Sequence, residues 1–357
     1  MPKKTTRKRR SVLASYQKNE SYVKGLLFEV VLKELVRKSG FSQEHLSQAN
    51  AKDTKLHGRS AVHQIDILGV FRLGIPFINP LLLVGEAKNF KRKVTIKEAR
   101  EFLGMFVDIT QYPRIQTKSR SSIRSEQTLQ PRYTYCPVYF SLKGYQESAQ
   151  HFMYSHGINF FSYENSEIMD HLDKNIHGVL TQIRFQKLNS RDFKTFKDLA
   201  SMQNIPSDVK KEGFDRNLSR LITYLSSVSS YVGVLDKRFP IHILTRKKNT
   251  PKKSGEVKLQ FLQRNSFVLK TMSNRQIGQF SLPSMFVSRY ISMAKRQNII
   301  DNIFRQIDVI VPTEENLFVI NFRINEQYRS VIIGFFEKNR HDITQIQSAL
   351  QEQLSSE

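Results

Sequence analysis

An uninterrupted apolar run, Leu81 to Val84, is followed within a few residues by two charged side chains, Glu86 and Lys88. Such a run is typical of a buried strand, which must be covered by other elements of the fold. Side chains alternate along a strand, so Val84, Glu86 and Lys88 project from the same face. The segment 81–88 therefore predicts a buried strand that carries a carboxylate and an amine to one edge of a sheet.

The segments on either side of this strand predict an α/β domain, with helices on both faces of a mixed central sheet. Residues 20–39 have the apolar stripe of a helix, and Gly40 marks its end. The stretch "HQIDILGV" has the period of a strand and places Asp66 near its centre. Thr95 and Glu98 have the spacing of a capping box, which predicts that another helix begins there.

The rest of the chain shows two patterns of predicted secondary structure. A strand, a helix and a strand are predicted in "YTYCPVYFS", "GYQESAQHFMYSHG" and "INFFSY", after a polar, basic stretch at 113–132 that predicts an exposed loop. Beyond about residue 185 strands dominate, with one long helical pattern over 283–304. We therefore expect three parts. They are a basic arm at 1–19 (solvated, or in contact with phosphates), an α/β domain at 20–185, and a strand-rich α+β domain at 186–357 with a recognition or regulatory role.

The charge balance favours a polyanionic partner. The formal net charge is +24 and the pI is near 10.0, which makes nucleic acid the first candidate and a membrane surface the second. No apolar run approaches the roughly 20 residues that span a bilayer, and no apolar segment of a signal peptide follows the basic N-terminus. Cys136 is the only cysteine, which excludes an internal disulfide and a cysteine-based zinc site. We expect a cytoplasmic protein that binds nucleic acid and no membrane.

The charged end of the strand predicts a metal site. Pairing of the two strands would bring Asp66 beside Glu86, and two close carboxylates repel unless a cation or a proton lies between them. Oxygen ligands suit Mg²⁺, with Mn²⁺ as an alternative. Lys88 would orient or help to deprotonate a water, and would offset charge on a phosphate. The competing interpretation of Glu-x-Lys is a solvated ion pair, but the apolar strand before it and the capped helix after it favour a site for phosphodiester hydrolysis.

Several stretches of this sequence resemble one nuclease family. They are "GLLFEVVLKELVRKSGF", "GRSAVHQIDILG", "LLLVGEAKNFKRKVTIKEAREFLGMF" and "VYFSLKGYQESAQHFMYSHGINFFSYE". Together they resemble the PD-(D/E)xK nuclease superfamily, in its Mrr-like restriction endonuclease branch, over about residues 20–180. The resemblance implies a restriction-endonuclease-like fold. The sequence departs from the motif at Ile65, where the superfamily has proline, and in the long stretch between the two acidic residues, where a hairpin extension is expected.

The resemblance also implies roles for particular residues. Asp66 and Glu86 would be the metal ligands, Lys88 the catalytic lysine, and Glu29, from the first helix, an additional acidic residue at the site. The activity implied is that of a Mg²⁺-dependent endonuclease, a hydrolase that leaves 5′-phosphate ends on DNA and serves in restriction or antiviral defence. Cleavage of both strands would suit a homodimer, and a small-molecule or protein trigger would act on the C-terminal domain.

Two alternatives to this function stay open. One is a non-catalytic DNA-binding module with a nuclease-like fold, and the other is a structure-specific or RNA-directed nuclease.

Four further residues near the motif have weaker assignments. His63 is expected to support the site and not to bind the metal directly, while Gln64 has a strand position from which it could reach substrate. Lys91 opens a basic run that would bind phosphate or form a solvated turn. Arg100, on the capped helix, is expected to face either DNA or Glu98.

Overall fold

The computed structural model describes residues 4–42, 54–71, 79–112, 115–117, 127–129, 132–185, 214–235, 239–246, 255–261, 265–271, 274–288, 306–312, 317–323 and 330–332. The helices in these ranges are α1 (Lys4–Lys38), α2 (Ile96–Thr110), α3 (Glu147–Ser155), α4 (Glu167–Phe185) and α5 (Phe214–Ser226). The strands of the first half are β1 (Phe41–Ser42), β2 (Lys55–His57), β3 (Val62–Gln64), β4 (Ile67–Phe71), β5 (Leu81–Lys88), β6 (Ile115–Thr117), β7 (Gln127–Leu129), β8 (Thr134–Ser141) and β9 (Asn159–Ser162). Those of the second half are β10 (Val228–Leu235), β11 (Phe239–Arg246), β12 (Gly255–Phe261), β13 (Ser266–Thr271), β14 (Gln276–Ser281), β15 (Gln306–Pro312), β16 (Leu317–Arg323) and β17 (Ser330–Ile332).

The central sheet is mixed and has five strands in the order β1-β4-β5-β8-β9. β1, β4 and β5 pair antiparallel, whereas β5, β8 and β9 pair parallel. Parallel neighbours need a crossover connection, and α2 and α3 lie in the two crossovers. The predicted α/β class, the mixed sheet and the strand at 81–88 are therefore confirmed.

Helices cover both faces of this sheet. Alternate residues of β5 belong to different cores. Leu83 packs in the same cluster as Leu27 and Val31 of α1, whereas Val84 packs in a cluster with Ile109 of α2. This alternation follows from the period of a strand, and it places the side chains at even positions of β5 on the α2 face.

The start of the domain differs from the sequence prediction in two respects. α1 begins at Lys4 and not near residue 20, so the basic arm and the first helix are one continuous helix. The single strand predicted around Asp66 is wrong: β3 pairs with β2 in a separate hairpin, β4 pairs with β5, and Asp66 lies in the break between β3 and β4. The backbone N–H of Ile65 still donates to the carbonyl of Thr54 (2.8 Å), so the chain leaves the hairpin only at Asp66.

The capping box and the loop prediction had different outcomes. The Glu98 carboxylate accepts a hydrogen bond from the backbone N–H of Thr95 (2.7 Å), and α2 begins at the next residue, so the capping box is confirmed. The loop expected over 113–132 is wrong at six positions, because β6 and β7 form an antiparallel pair. The other residues of 113–131, and the connection at 72–78, lie outside the described ranges.

The second half forms an eight-stranded sheet in the order β16-β15-β10-β11-β14-β13-β12-β17, which confirms the strand-rich prediction. β14 was not predicted from the sequence. Of the helical pattern expected over 283–304, the structure describes a single helical stretch at 284–288, and the remainder lies outside the described residues.

A buried chain of hydrogen bonds joins the two halves. The Tyr163 hydroxyl lies 2.6 Å from Nδ1 of His242, whose Nε2 lies 2.5 Å from the Ser230 hydroxyl. Ser230 lies 2.8 Å from the Ser39 hydroxyl, which donates to the Leu35 carbonyl of α1 (3.0 Å). The C-terminal sheet therefore packs directly against the helix that carries Glu29. Among the described helices, none is long and apolar enough to cross a membrane.

Candidate active site

Asp66 and Glu86 meet where β4 begins and β5 ends. The strands pair antiparallel with Ile67 opposite Gly85, so the residue before Ile67 lies beside the residue after Gly85. The Asp66 carboxylate accepts a hydrogen bond from the backbone N–H of Ala87 (3.0 Å). The structure thus brings Asp66 to Glu86, as strand pairing predicts, although it does so from the break before β4.

A glycine permits this close approach. A Cβ atom at Gly85 would lie 3.0 Å from the Cβ of Ile67 and 3.2 Å from the Ile67 carbonyl oxygen. A methyl group there would therefore require Ile67 to shift by a few tenths of an ångström, directly beside Asp66 and Glu86. The sequence analysis did not single out Gly85, but a glycine inside an apolar strand is a recognised signal of close backbone approach.

Glu86 and Lys88 project from the same face, as predicted, and they are in contact. The Lys88 ammonium donates a hydrogen bond to Oε1 of Glu86, and both side chains are largely buried. Burial alone would lower the pKa of Lys88, but the charges of Glu86, Asp66 and Glu29 outweigh it, and the net effect raises the pKa. Lys88 is therefore a firmly held cation, suited to stabilising negative charge and not to accepting a proton.

The carboxyl groups of Glu29, Asp66 and Glu86, which together form the acidic cluster, are all harder to ionise than usual. Burial raises the pKa of Glu29 to about 7, with a further increase from the charge of Asp66, while Lys33 and Lys88 lower it in part. Burial is also the main cause of the raised pKa of Asp66 and of Glu86, and the charge of Asp66 adds to the effect on Glu86. Burial thus disfavours the ionised form of these carboxyl groups, and a cation or protons would relieve that cost.

The donor set fits a divalent cation in its chemistry. Carboxylate oxygens from Asp66 and Glu86 are the ligands that Mg²⁺ and Mn²⁺ prefer, and a cation would offset the cost of burying these carboxylates as ions. In the arrangement observed, Glu86 contacts Lys88 instead. Among the residues that the structure describes, no group of three or more His, Cys, Asp or Glu side chains is placed to hold a metal ion.

His63 and Gln64 lie on the neighbouring hairpin. His63 Nε2 is 2.7 Å from the Asp108 carboxylate of α2, which also accepts hydrogen bonds from the amide and hydroxyl of Ser60 (2.9 and 2.8 Å). These contacts, with that of His63 foremost, lower the pKa of Asp108 to about 2. His63 therefore ties the hairpin to α2, and Gln64 donates to the Thr54 hydroxyl (2.6 Å).

The basic residues after the strand make separate contacts. Lys91 is exposed. Arg92 forms two hydrogen bonds with the Glu98 carboxylate (2.7 and 3.1 Å), and the guanidinium of Arg100 lies 5.7 Å from the centroid of the Phe152 ring. The contact between Arg100 and Glu98, one of the two alternatives from the sequence, is therefore not the one observed.

Two polar groups near the site were missed from the sequence. Asn89, the residue after Lys88, donates to the Asp173 carboxylate (3.1 Å), and its Oδ1 is buried without a hydrogen-bond partner in the described part of the chain. The hydroxyl of Tyr139 is also buried and has no such partner there. Tyr139 is the β8 residue in register with Glu86, and only the three-dimensional pairing of the strands reveals this position.

Comparisons with known proteins add little. No protein-family model matches the chain, and no curated protein matches it. One crystal structure, of a protein of unknown function designated AF1548, aligns with 49% of this chain and 96% of its own, at 14% identity and a TM-score of 0.26. A similarity at this level supports no argument about fold or activity.

Proposed function

We propose that this protein is a metal-dependent endonuclease that hydrolyses DNA phosphodiester bonds. The observation that supports the proposal is the meeting of Asp66, Glu86, Lys88 and the electrostatically coupled Glu29 at one edge of the central sheet. The restriction-endonuclease-like fold and the kinship with Mrr-like nucleases belong to the same proposal, because they rest on the sequence resemblance.

The residues would divide the chemistry as follows. Asp66 and Glu86 would hold Mg²⁺ or Mn²⁺, which when bound supplies Lewis-acid stabilisation to the phosphate and to the attacking water. Lys88, already a cation in the structure, would turn from Glu86 to a non-bridging phosphate oxygen and offset the charge that builds there. Glu29 would contribute a third carboxyl group to the charge field of the site.

The charge of the chain supports a nucleic-acid substrate. The net charge of +24 favours phosphate binding. Basic side chains in the segment that follows Lys88 are largely open to solvent, with Lys97 84% and Arg92 59% exposed. A role in restriction or antiviral defence is a further part of the proposal and rests on the resemblance alone. A homodimeric state is proposed because cleavage of both DNA strands commonly uses two active sites. A small-molecule or protein trigger acting on the C-terminal sheet is proposed because a nuclease must be restrained in its own cell.

One observation favours a second candidate, a DNA-binding module without catalysis. In the structure the Glu86 carboxylate is paired with the Lys88 ammonium. Among the described residues, no three or more metal-ligating side chains are grouped to bind an ion. A catalytic protein would have to rearrange Glu86 on binding its cation, whereas a binding module would keep the ion pair.

Plasmid cleavage by the full-length protein separates the two candidates. Supercoiled DNA is incubated with Mg²⁺, with Mn²⁺ or with EDTA, and nicked and linear products are quantified; a structured RNA in parallel tests an RNA-directed activity. We expect cation-dependent nicking that falls on the order of 100-fold in Lys88→Ala, since the lysine stabilises charge in the transition state. The matched control is Lys174→Ala, at an exposed lysine of α4, which should cleave as the wild type does. Equal DNA binding without cleavage in all three proteins would contradict the nuclease and support the binding module.

A further inference from the structure

The side chain of Tyr139 is fully buried, yet its hydroxyl finds no partner in the part of the chain that the structure describes. Its exposed fraction is 0%, and its hydroxyl has no hydrogen-bond partner within the described residues. Its neighbour Tyr145 is also buried, but that hydroxyl lies 2.7 and 2.9 Å from the carbonyl oxygens of Tyr139 and Phe161, which share its single proton. A buried hydroxyl without a partner is unfavourable, because it has given up its bonds to water and gained none in exchange. Packing alone would be served better by phenylalanine.

The position of Tyr139 explains what such a hydroxyl could serve. Tyr139 and Glu86 are register partners on parallel strands, so their side chains project from the same face of the sheet. The Tyr139 ring is held edge-on by Phe102 and Tyr145, at centroid distances of 5.3 and 6.0 Å. The hydroxyl is therefore held on the face from which the Glu86 carboxylate projects.

The electrostatic surroundings of Tyr139 agree with this placement. Burial raises its pKa, and the negative charges of Glu86, Glu98 and Asp66 raise it further. The hydroxyl therefore stays protonated at neutral pH and remains a hydrogen-bond donor in the field of the acidic cluster.

We propose that Tyr139 is a positioning residue that donates a hydrogen bond to the Glu86 carboxylate when Lys88 leaves it for the scissile phosphate. This inference rests on the proposed nuclease function. In the structure Lys88 is the donor that fixes Glu86. Once Lys88 turns to the phosphate, Glu86 needs another donor to keep its orientation, and a neutral hydroxyl supplies one without competing with the cation for the carboxylate charge.

The experiment compares Tyr139→Phe with the matched control Tyr145→Phe in the full-length protein. Each variant removes one buried hydroxyl and leaves the ring. Thermal unfolding by circular dichroism should show Tyr139→Phe at or above the wild-type midpoint, because the described residues give that hydroxyl no hydrogen bond to lose. Tyr145→Phe should unfold below the wild-type midpoint, because the hydrogen bonding of its hydroxyl to the two carbonyl oxygens is lost. Plasmid cleavage by Tyr139→Phe should show a lower kcat with an unchanged KM for DNA. Its half-saturating Mn²⁺ concentration, in cleavage and in calorimetric binding, should rise roughly tenfold, as is usual when a partner of a metal ligand is removed.

The outcomes distinguish this inference from the proposed function. If the wild type cleaves DNA and binds Mn²⁺, and Tyr139→Phe does both equally well, the positioning role alone would be overturned. Loss of stability in Tyr139→Phe comparable to that in Tyr145→Phe would also overturn it, because the hydroxyl would then have a structural partner. A wild-type protein that neither cleaves DNA nor binds Mn²⁺ would overturn the proposed function, and this inference with it.

Discussion

Acidification should destabilise this protein through one buried histidine, His242, which lies at the junction of its two halves. His242 is 4% exposed and contacts the hydroxyls of Tyr163 and Ser230. The two contacts are met by a neutral ring, in which one nitrogen accepts and the other donates. Burial lowers the pKa of His242 from 6.5 to about 3, so the folded protein does not take up this proton under mildly acidic conditions.

The sign and size of the effect follow from proton linkage. Below pH 6.5 the unfolded chain protonates this histidine, whereas the folded state does so only near pH 3. Because the unfolded state binds more protons, the free energy of unfolding falls as the pH is lowered through this window. With these two pKa values, the loss between pH 7 and pH 5 is about 2 kcal/mol.

Urea unfolding at pH 7, 6 and 5 measures this loss, with far-UV circular dichroism as the probe because the chain has no tryptophan. Other groups titrate as well, so the quantity of interest is the difference between the wild type and His242→Gln, whose amide can still donate and accept. We expect the variant to be less stable at pH 7 but to lose about 2 kcal/mol less on going to pH 5. His177→Gln, at an exposed histidine of α4, should keep the wild-type dependence.

Parallel pH profiles for the wild type and His242→Gln would refute the reasoning. They would mean that His242 takes up its proton as readily in the folded state as in the unfolded chain, as it would if the junction opened to water before the protein unfolds. In that case the hydrogen-bonded chain from Tyr163 to α1 would not be the closed, neutral network that the structure indicates.

Two further predictions concern the sheet edge and the substrate. Gly85→Ala should destabilise the protein by about 1–3 kcal/mol, because the added methyl group meets Ile67 at 3.0 Å. It should also lower the rate of cleavage, because the shift that it requires falls next to Asp66. Wild-type urea midpoints and activity would argue against the close approach of β4. DNA affinity should fall steeply with salt, with a slope of roughly −0.9 for each phosphate contacted, and deletion of residues 1–19 should make the slope shallower; a salt-independent affinity, measured by fluorescence anisotropy, would remove nucleic acid as the partner.

The elements that the sequence predicts well are those with local causes. β5 runs from Leu81 to Lys88 in the structure, as its apolar run predicts, because four consecutive aliphatic residues favour a buried strand whatever their partners. The start of α2 is likewise local, since Thr95 and Glu98 cap the helix through contacts within one turn. Strand alternation was enough to place Glu86 and Lys88 on one face.

The features that escaped sequence analysis depend on partners distant in the chain. The break at Asp66 arises because β3 belongs to the hairpin with β2, while β4 joins the central sheet, and no periodicity in the segment signals this exchange. The pairing of Arg92 with Glu98, in preference to Arg100, depends on the path of the loop before α2. In the sequence, Tyr139 is one of several aromatic residues in a predicted strand, and nothing distinguishes it from the others. Only its register with Glu86 places its hydroxyl near the candidate site.

The energetics of the acidic cluster argue that stability is not the reason for these residues. The folded state holds a proton on Glu29 up to about pH 7, whereas the unfolded chain releases it near 4.5. Between those values folding therefore becomes less favourable as the pH rises. The raised pKa values of Asp66 and Glu86 act in the same direction. A surface ion pair would show the opposite, with each carboxyl group easier to ionise than usual, as Glu98 is beside Arg92. Acidic side chains that oppose folding are typical of binding and catalytic sites, where a ligand such as a divalent cation supplies the missing positive charge.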